Sequence, residues 1–250
     1  MKIGIAGYGY VGQAHEAALK DYHDIIISDP AKKMYGDLRH ADAIIICVST
    51  PQGSQGGCHM DNVYSVIEDT NDIPILIKST ISLEGWDMLK HVFPNKQLTF
   101  SPEFLRAVTA IEDFKNNKTI MMGGGNTGFW TDIFVTALGK INTTIGSPKA
   151  LILTKYARNS FLALKVSYFN QLYDLCDELD IDYNEVRKYT TLDDRIGESH
   201  TMITDERGFG GHCFPKDAQA FLVSSKKHGA NLSILEEAIS YNNKVRKGTT

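Results

Sequence analysis

The chain is short of cysteine, of excess charge and of long apolar runs, and each shortage closes off a class of function. Its four cysteines, Cys47, Cys58, Cys176 and Cys213, form no CxxC pair and share no ligand spacing with the histidines. That excludes a zinc module and points to a reducing compartment. Lys and Arg number 26 against 30 Asp and Glu, a formal net charge of -4. No broad basic field is available for nucleic acid and no cationic tail for a membrane, so anionic ligands need local positive sites. No run approaches the ~18 apolar residues of a spanning helix. Met1 leads at once into IGIAG, from which a cytoplasmic protein without a signal peptide is expected. Solenoid repeats and low-complexity tracts are missing too. What remains is 250 residues, 42% hydrophobic and 22% charged, enough for one or two globular domains with a real core.

Short apolar runs recur between helical stretches at Lys2 to Ala6, Ile25 to Ser28, Ala43 to Val48, Ile75 to Lys78, Leu98 to Ser101, Thr119 to Met122 and Ile141 to Ile145. That alternation predicts an α/β fold, a Rossmann-like, doubly wound and largely parallel sheet wrapped by helices. From about Pro148 the pattern becomes helical, with a proline-free stretch running to Leu179 and a further helical segment from Leu232 to Lys247. The expected division is 1–147 for a dinucleotide-binding domain and 148–250 for an all-helical central domain. Gln52 to His59, QGSQGGCH, reads as a glycine-rich loop.

Directly after the first strand, GYGYVG at 7 to 12 opens a predicted helix from Val11 to Leu19. Gly7 permits a tight turn, Gly9 lets a pyrophosphate approach the backbone, and Gly12 allows close helix packing; Tyr8, Tyr10 and Val11 lie in the same loop. Asp29 ends the second strand 17 residues after Gly12, placed to hold a ribose 2'-hydroxyl and to repel the 2'-phosphate of NADP. NAD is the cofactor these residues predict. Ser49 and Thr50 follow the third strand where strand C-termini line such a crevice, Thr50 serving either as turn cap or as ligand contact.

Cys213 sits in GFGGHCFPKD, 208 to 217, after a glycine run and before a Pro-Lys-Asp helix start. A helix N-terminus with Lys216 nearby favours a thiolate; the bland alternative is an inert buried cysteine. His212 is either a loop filler or a local base. Lys155 and Asn159, four apart, share one face of the long helix, either as a solvated pair or as part of a site. Thr80, after the fourth strand, and Glu103, after the fifth, emerge at the ligand-bearing edge of the sheet, where each is a site residue or a helix cap.

GYGYVG, VSTP at 48 to 51, KST at 78 to 80, SPEFLR at 101 to 106, KYARNSFLALKVS at 155 to 167, DDRIG at 193 to 197 and GFGGHCFPKD together resemble, in order and content, the UDP-glucose/GDP-mannose dehydrogenase family. The resemblance implies a four-electron oxidation of a nucleotide-sugar primary alcohol to a carboxylate with two NAD+, through a thiohemiacetal and a thioester on Cys213. It implies that Lys155 and Asn159 stabilise oxyanions, that Asp217 and Thr80 position the hydrolytic water, and that Glu103 manages protons. It implies cofactor contacts at Thr80 and Lys216, and substrate contacts at Glu103, Phe104, Leu105, Arg106, Lys155, Asn159, Phe209, Gly210 and Gly211. Arg195 matches an arginine that reaches a substrate phosphate, often from a neighbouring subunit, implying a homodimer through the long helix; DDRIG also reads as a surface salt-bridge turn.

Three departures mark the chain. Ala107 and Val108 stand where the family carries a second glutamate and a glycine. Ala31 to Asp42 is short. Members also continue into a second Rossmann-like domain, whereas this sequence ends at Thr250, so a short member without that lid is expected. Two other readings stay open: a non-catalytic or partner-dependent NAD-binding subunit, and a two-electron hydroxyacid dehydrogenase, which needs no cysteine.

Overall fold

A computed structural model describes residues 1–53, 56–211 and 213–246. They form two compact units, Met1–Gly53 with Cys58–Lys155, and the described residues from Tyr156 onward with Gly56 and Gly57.

The first unit is built on β1 (Lys2–Ala6), β2 (Asp24–Asp29), β3 (Met34–Tyr35), β4 (Ala43–Ile46), β5 (Ile75–Ile77), β6 (Leu98–Phe100), β7 (Thr119–Gly124) and β8 (Asn142–Ile145). These make one eight-stranded sheet in the order β3-β2-β1-β4-β5-β6-β7-β8. The pairs from β2 through β6 are parallel, as the apolar runs predict, while β3 on β2 and β7 on β6 are antiparallel. Every residue of β4 and β5 is buried, which a parallel strand covered on both faces requires. The covering helices are α1 (Tyr10–Leu19), α2 (Asp61–Glu68), α3 (Leu83–Val92), α4 (Ala110–Lys115) and α5 (Thr127–Leu138). Leu19, Phe114, Trp130 and Phe134 pack with Ile3, Ile45 and Leu76 in one core. Burying each such side chain is worth about 1.5–3 kcal/mol.

The helix that follows, α6 (Pro148–Glu178), starts in the first unit: Leu151 and Ile152 are buried there and Lys149 pairs with Asp87 at 2.8 Å. From Tyr156 it belongs to the second unit with α7 (Tyr183–Thr190), α8 (Phe214–Lys227) and α9 (Ser233–Val245). Ala218, Leu222 and Leu235 pack with Leu164, Phe221 and Ile239, and Tyr156 stacks on Phe221 at 5.8 Å. Phe169, Cys176 and Tyr183 form a second small cluster. The helix expected to reach Lys247 is described to Val245; Lys247, His212 and the middle of the Gln52–His59 loop lie outside the described residues. Among the described residues no helix is long and apolar enough to cross a membrane.

Candidate active site

The glycine loop turns because Gly7 takes φ +89°, where a Cβ would also sit 2.6 Å from the Cys47 carbonyl oxygen. A Cβ on Gly12 would strike the Gly7 carbonyl oxygen. At Gly9, by contrast, nothing lies within 4 Å of where a Cβ would stand, and no side chain caps the start of α1. An open glycine at a helix N-terminus is the shape a pyrophosphate needs. Asp29 Oδ2 accepts the Tyr8 N–H at 2.7 Å, so the acid at the end of β2 is docked on the loop. Lys32 Nζ donates to the Tyr8 carbonyl at 2.6 Å, and Tyr8 donates its hydroxyl to Glu16 at 2.5 Å, which with burial raises that phenol to about 12. Tyr10 and Val11 are half-buried in the first turn of α1; Ser49 is exposed, its carbonyl accepting from Asn62 at 3.0 Å, and Thr50 is buried. These residues fit NAD.

Behind that loop lies a buried charge cluster. Lys78, directly after β5, and Glu103, after the neighbouring β6, approach to 3.0 Å with side chains 3% and 8% exposed. The Nζ–Oε2 contact is coulombic, since Oε2 lacks hydrogen-bond geometry, while Oε1 accepts the N–H groups of Phe104 at 2.8 Å and Leu105 at 3.2 Å. Burial alone would raise the Glu103 carboxyl; the Lys78 ammonium outweighs it and holds the group below its ordinary 4.5. Lys78 also donates to Ser101 Oγ at 3.0 Å. His15, on α1, is wholly buried, its Nδ1 at 2.8 Å from the Val11 carbonyl; burial, then the Lys78 charge, lower it to about 4, so the ring is neutral. The acid expected to face ligand thus folds its carboxylate onto the peptide groups of its own loop. Its carbonyl is taken by Lys155 Nζ at 2.6 Å, and that ammonium sits 5.8 Å from the Phe104 ring. Phe104 and Leu105 are half-buried, Arg106 is exposed and paired with Asp113 at 2.6 Å, and Thr80 is half-buried after β5.

In the second unit, Cys213 is half-buried at the N-cap of α8, with Pro215 in the first turn. The Asp217 N–H closes that turn on the Cys213 carbonyl at 2.8 Å. Asp217 is 1% exposed, its carboxylate accepting from Asn159 Nδ2 at 2.6 Å and from Lys216 Nζ at 2.7 Å. A buried carboxylate held by an amide and an ammonium has a fixed direction. Phe209 is buried, Gly210 half-buried and Gly211 exposed with φ +74°. Arg195 is 89% exposed and paired with its neighbour Asp193 at 2.5 Å; Lys165 Nζ donates to the carbonyls of Ile196 at 2.6 Å and Gly197 at 3.1 Å, fastening that turn. Lys155 with Glu103 therefore belongs to the first unit, and Asn159, Asp217, Lys216 and Cys213 to the second.

Lys78 as the counter-ion of Glu103 escapes a reading of the sequence, because 25 residues separate them. The available signal is that KST and SPE close adjacent parallel strands.

Profiles of the UDP-glucose/GDP-mannose dehydrogenase family match the chain twice: its NAD binding domain at residues 30–131 and its central domain at residues 151–244. The UDP-glucose 6-dehydrogenase of Rickettsia conorii is 32% identical over 91% of this chain and 56% of its own length; that of Rickettsia typhi is 30% identical over 94% and 57%. The chain thus spans about half the length of these relatives. A solved UDP-glucose dehydrogenase from Pyrobaculum islandicum shares the fold with a TM-score of 0.84 at 24% identity, over 97% of this chain and 68% of that one. A 3-hydroxyisobutyrate dehydrogenase from Mycobacterium tuberculosis shares it at a TM-score of 0.73 and 16% identity, over 97% and 92%. With both profiles in chain order over the two units, the chain belongs to the UDP-glucose/GDP-mannose dehydrogenase family.

Proposed function

We propose that the chain takes part in NAD-dependent oxidation of a nucleotide-sugar primary alcohol to the carboxylate, with Cys213 as the covalent nucleophile. One observation carries this reading: the buried Asn159–Asp217 hydrogen bond at 2.6 Å, which joins the KxxxN face of α6 to the helix that Cys213 opens. An inert cysteine in a packed turn would need no buried carboxylate, held by two donors, one helical turn away. Gly7, Gly9, Gly12 and Asp29 would hold NAD+, which would accept one hydride as the alcohol becomes the aldehyde and, as a second equivalent, another from the thiohemiacetal.

The chain's own residues supply the rest. The Cys213 thiolate adds to the aldehyde carbon, forming the C–S bond and leaving an oxyanion on the former carbonyl oxygen, which Asn159 is suited to stabilise. Loss of the second hydride leaves a thioester, and water displaces the thiolate with its proton passing to a base. Asp217 orients that water. Glu103 acts chiefly by shaping the Phe104–Leu105 loop, since its carboxylate is already engaged with peptide N–H groups and Lys78. Phe104, Leu105, Arg106, Gly210 and Gly211 are the candidate sugar contacts, and Arg195 the candidate phosphate contact. The protein works in the cytoplasm as a homodimer through α6. Phe161, Tyr168 and Leu175, each seven residues apart on α6 and more than half exposed, support that assembly.

NADH release with UDP-glucose, GDP-mannose and their N-acetylated relatives tests the reading. Two NADH per sugar are expected, and Cys213→Ser should give at most one. One NADH per turnover in the unaltered chain would indicate a two-electron dehydrogenase instead; NAD binding without turnover on any of these sugars would indicate a non-catalytic subunit.

A further inference from the structure

Residues 201–211 have no helix or strand, yet side chains of two helices in the same unit pair with their main-chain groups. Asn242 on α9, 4% exposed, accepts the Phe209 N–H on Oδ1 at 2.6 Å and donates from Nδ2 to the Phe209 carbonyl at 3.1 Å. One side-chain amide thereby meets both main-chain groups of one residue, as a neighbouring strand would. The contact is close enough to dictate the preceding residue: Gly208 has φ +57°, and a Cβ there would overlap Asn242 Oδ1. From the other side Asn170 on α6, 1% exposed, accepts the Gly208 N–H at 3.0 Å and Arg207 Nε at 2.9 Å, and its own Nδ2 is fixed on the Val166 carbonyl at 2.9 Å. Arg207 lies over the Tyr173 ring at 4.6 Å and pairs with Asp174, which also accepts the Tyr241 hydroxyl at 2.5 Å. Arg246 closes the set by donating to the Arg207 carbonyl at 2.9 Å.

We propose that Asn242, assisted by Asn170, is the positioning residue for the nucleophile, fixing the backbone from which Cys213 is presented. The proposal deepens the covalent role given to Cys213 above and rests on it for its catalytic consequence. A run with glycines at 208, 210 and 211 carries more backbone entropy than any other part of the motif, and a thiol on such a tether would sample many directions. A misplacement on the order of 1 Å costs a reacting group about a hundredfold. Packing alone would be satisfied by an apolar side chain at 242. An amide there does something different: it leaves no peptide group of Phe209 to drift toward water.

Site-resolved iodoacetamide labelling of the full chain, read by mass spectrometry, tests this without requiring turnover. Asn242→Ala removes both contacts, and Asn242→Asp keeps the acceptor but sets a carboxylate against the Phe209 carbonyl. Both should change the Cys213 labelling rate by about fivefold or more, while buried Cys176 stays at its wild-type rate. Asn243→Ala, exposed on the same turn, should change neither. Where the chain turns over, kcat should fall with KM for NAD unchanged. A folded Asn242 variant whose Cys213 labels within about twofold of wild type, or whose Cys176 rises in parallel, overturns the proposal. Should both variants fail to fold, hydrogen exchange on the unaltered chain decides: slow exchange of the Phe209 amide supports the clamp, and exchange at an open-peptide rate overturns it. If the unaltered chain makes no NADH while the Asn242 variants show the Cys213-selective change, the dehydrogenase reading is defeated and the clamp is supported.

Discussion

At the scale of single residues, the Lys78–Glu103 pair is where stability and site geometry meet. Lys78→Met leaves a buried carboxylate facing two peptide groups and no cation, which should cost about 3–5 kcal/mol in urea unfolding at neutral pH; adding Glu103→Gln should restore much of it. The acid limb draws on several depressed groups, of which the buried ones are His15 and Glu103. His15 falls from 6.5 to about 4 in the folded chain, so its contribution is complete above pH 6.5 and is lost as pH drops toward 4. Glu103 lies below 4.5, so its contribution is lost only at lower pH still. Urea midpoints measured from pH 7 downward should therefore decline from about 6.5, and His15→Gln should flatten the upper part of that decline. A flat profile between pH 6.5 and 4 in the unaltered chain would contradict this. At this scale the sequence is readable where chemistry is local: GYGYVG and GFGGHCFPKD announce themselves by spacing. Lys78, Asn170 and Asn242 do not, because their partners lie 25, 38 and 33 residues away and no periodicity links them.

At the scale of elements, the apolar runs reveal the strands but carry no direction, so the antiparallel setting of β7 is invisible in the string. β3 is missed for a different reason, two residues being too few to show alternation. The long helix is readable almost to the residue, since neither glycine nor a second proline interrupts its 31 positions. Its exposed stripe yields a prediction about assembly. Phe161→Glu combined with Tyr168→Glu should convert a dimer into a monomer in sedimentation at micromolar concentration while the helical circular dichroism is kept. An unaltered chain that sediments as a monomer would remove the α6 interface from consideration.

At the scale of the whole molecule, ligand linkage offers the plainest check on the cofactor. A ligand bound only by the folded chain stabilises it by about 2.7 kcal/mol at a hundredfold excess over Kd. NAD should raise the melting temperature, and NADP at equal concentration should raise it far less if Asp29, as proposed, holds the ribose 2'-hydroxyl. Asp29→Ala should narrow the gap, and equal shifts in the unaltered chain would refute the assignment. Arg195 sets a different kind of boundary. Lys165 ties down the turn beneath it, so a phosphate bound at this proposed contact would order only rotamers of one side chain, not a wandering stretch of peptide. In a chain with a formal net charge of -4, that guanidinium is 89% exposed but already held by Asp193, so an anion must compete with a carboxylate to reach it.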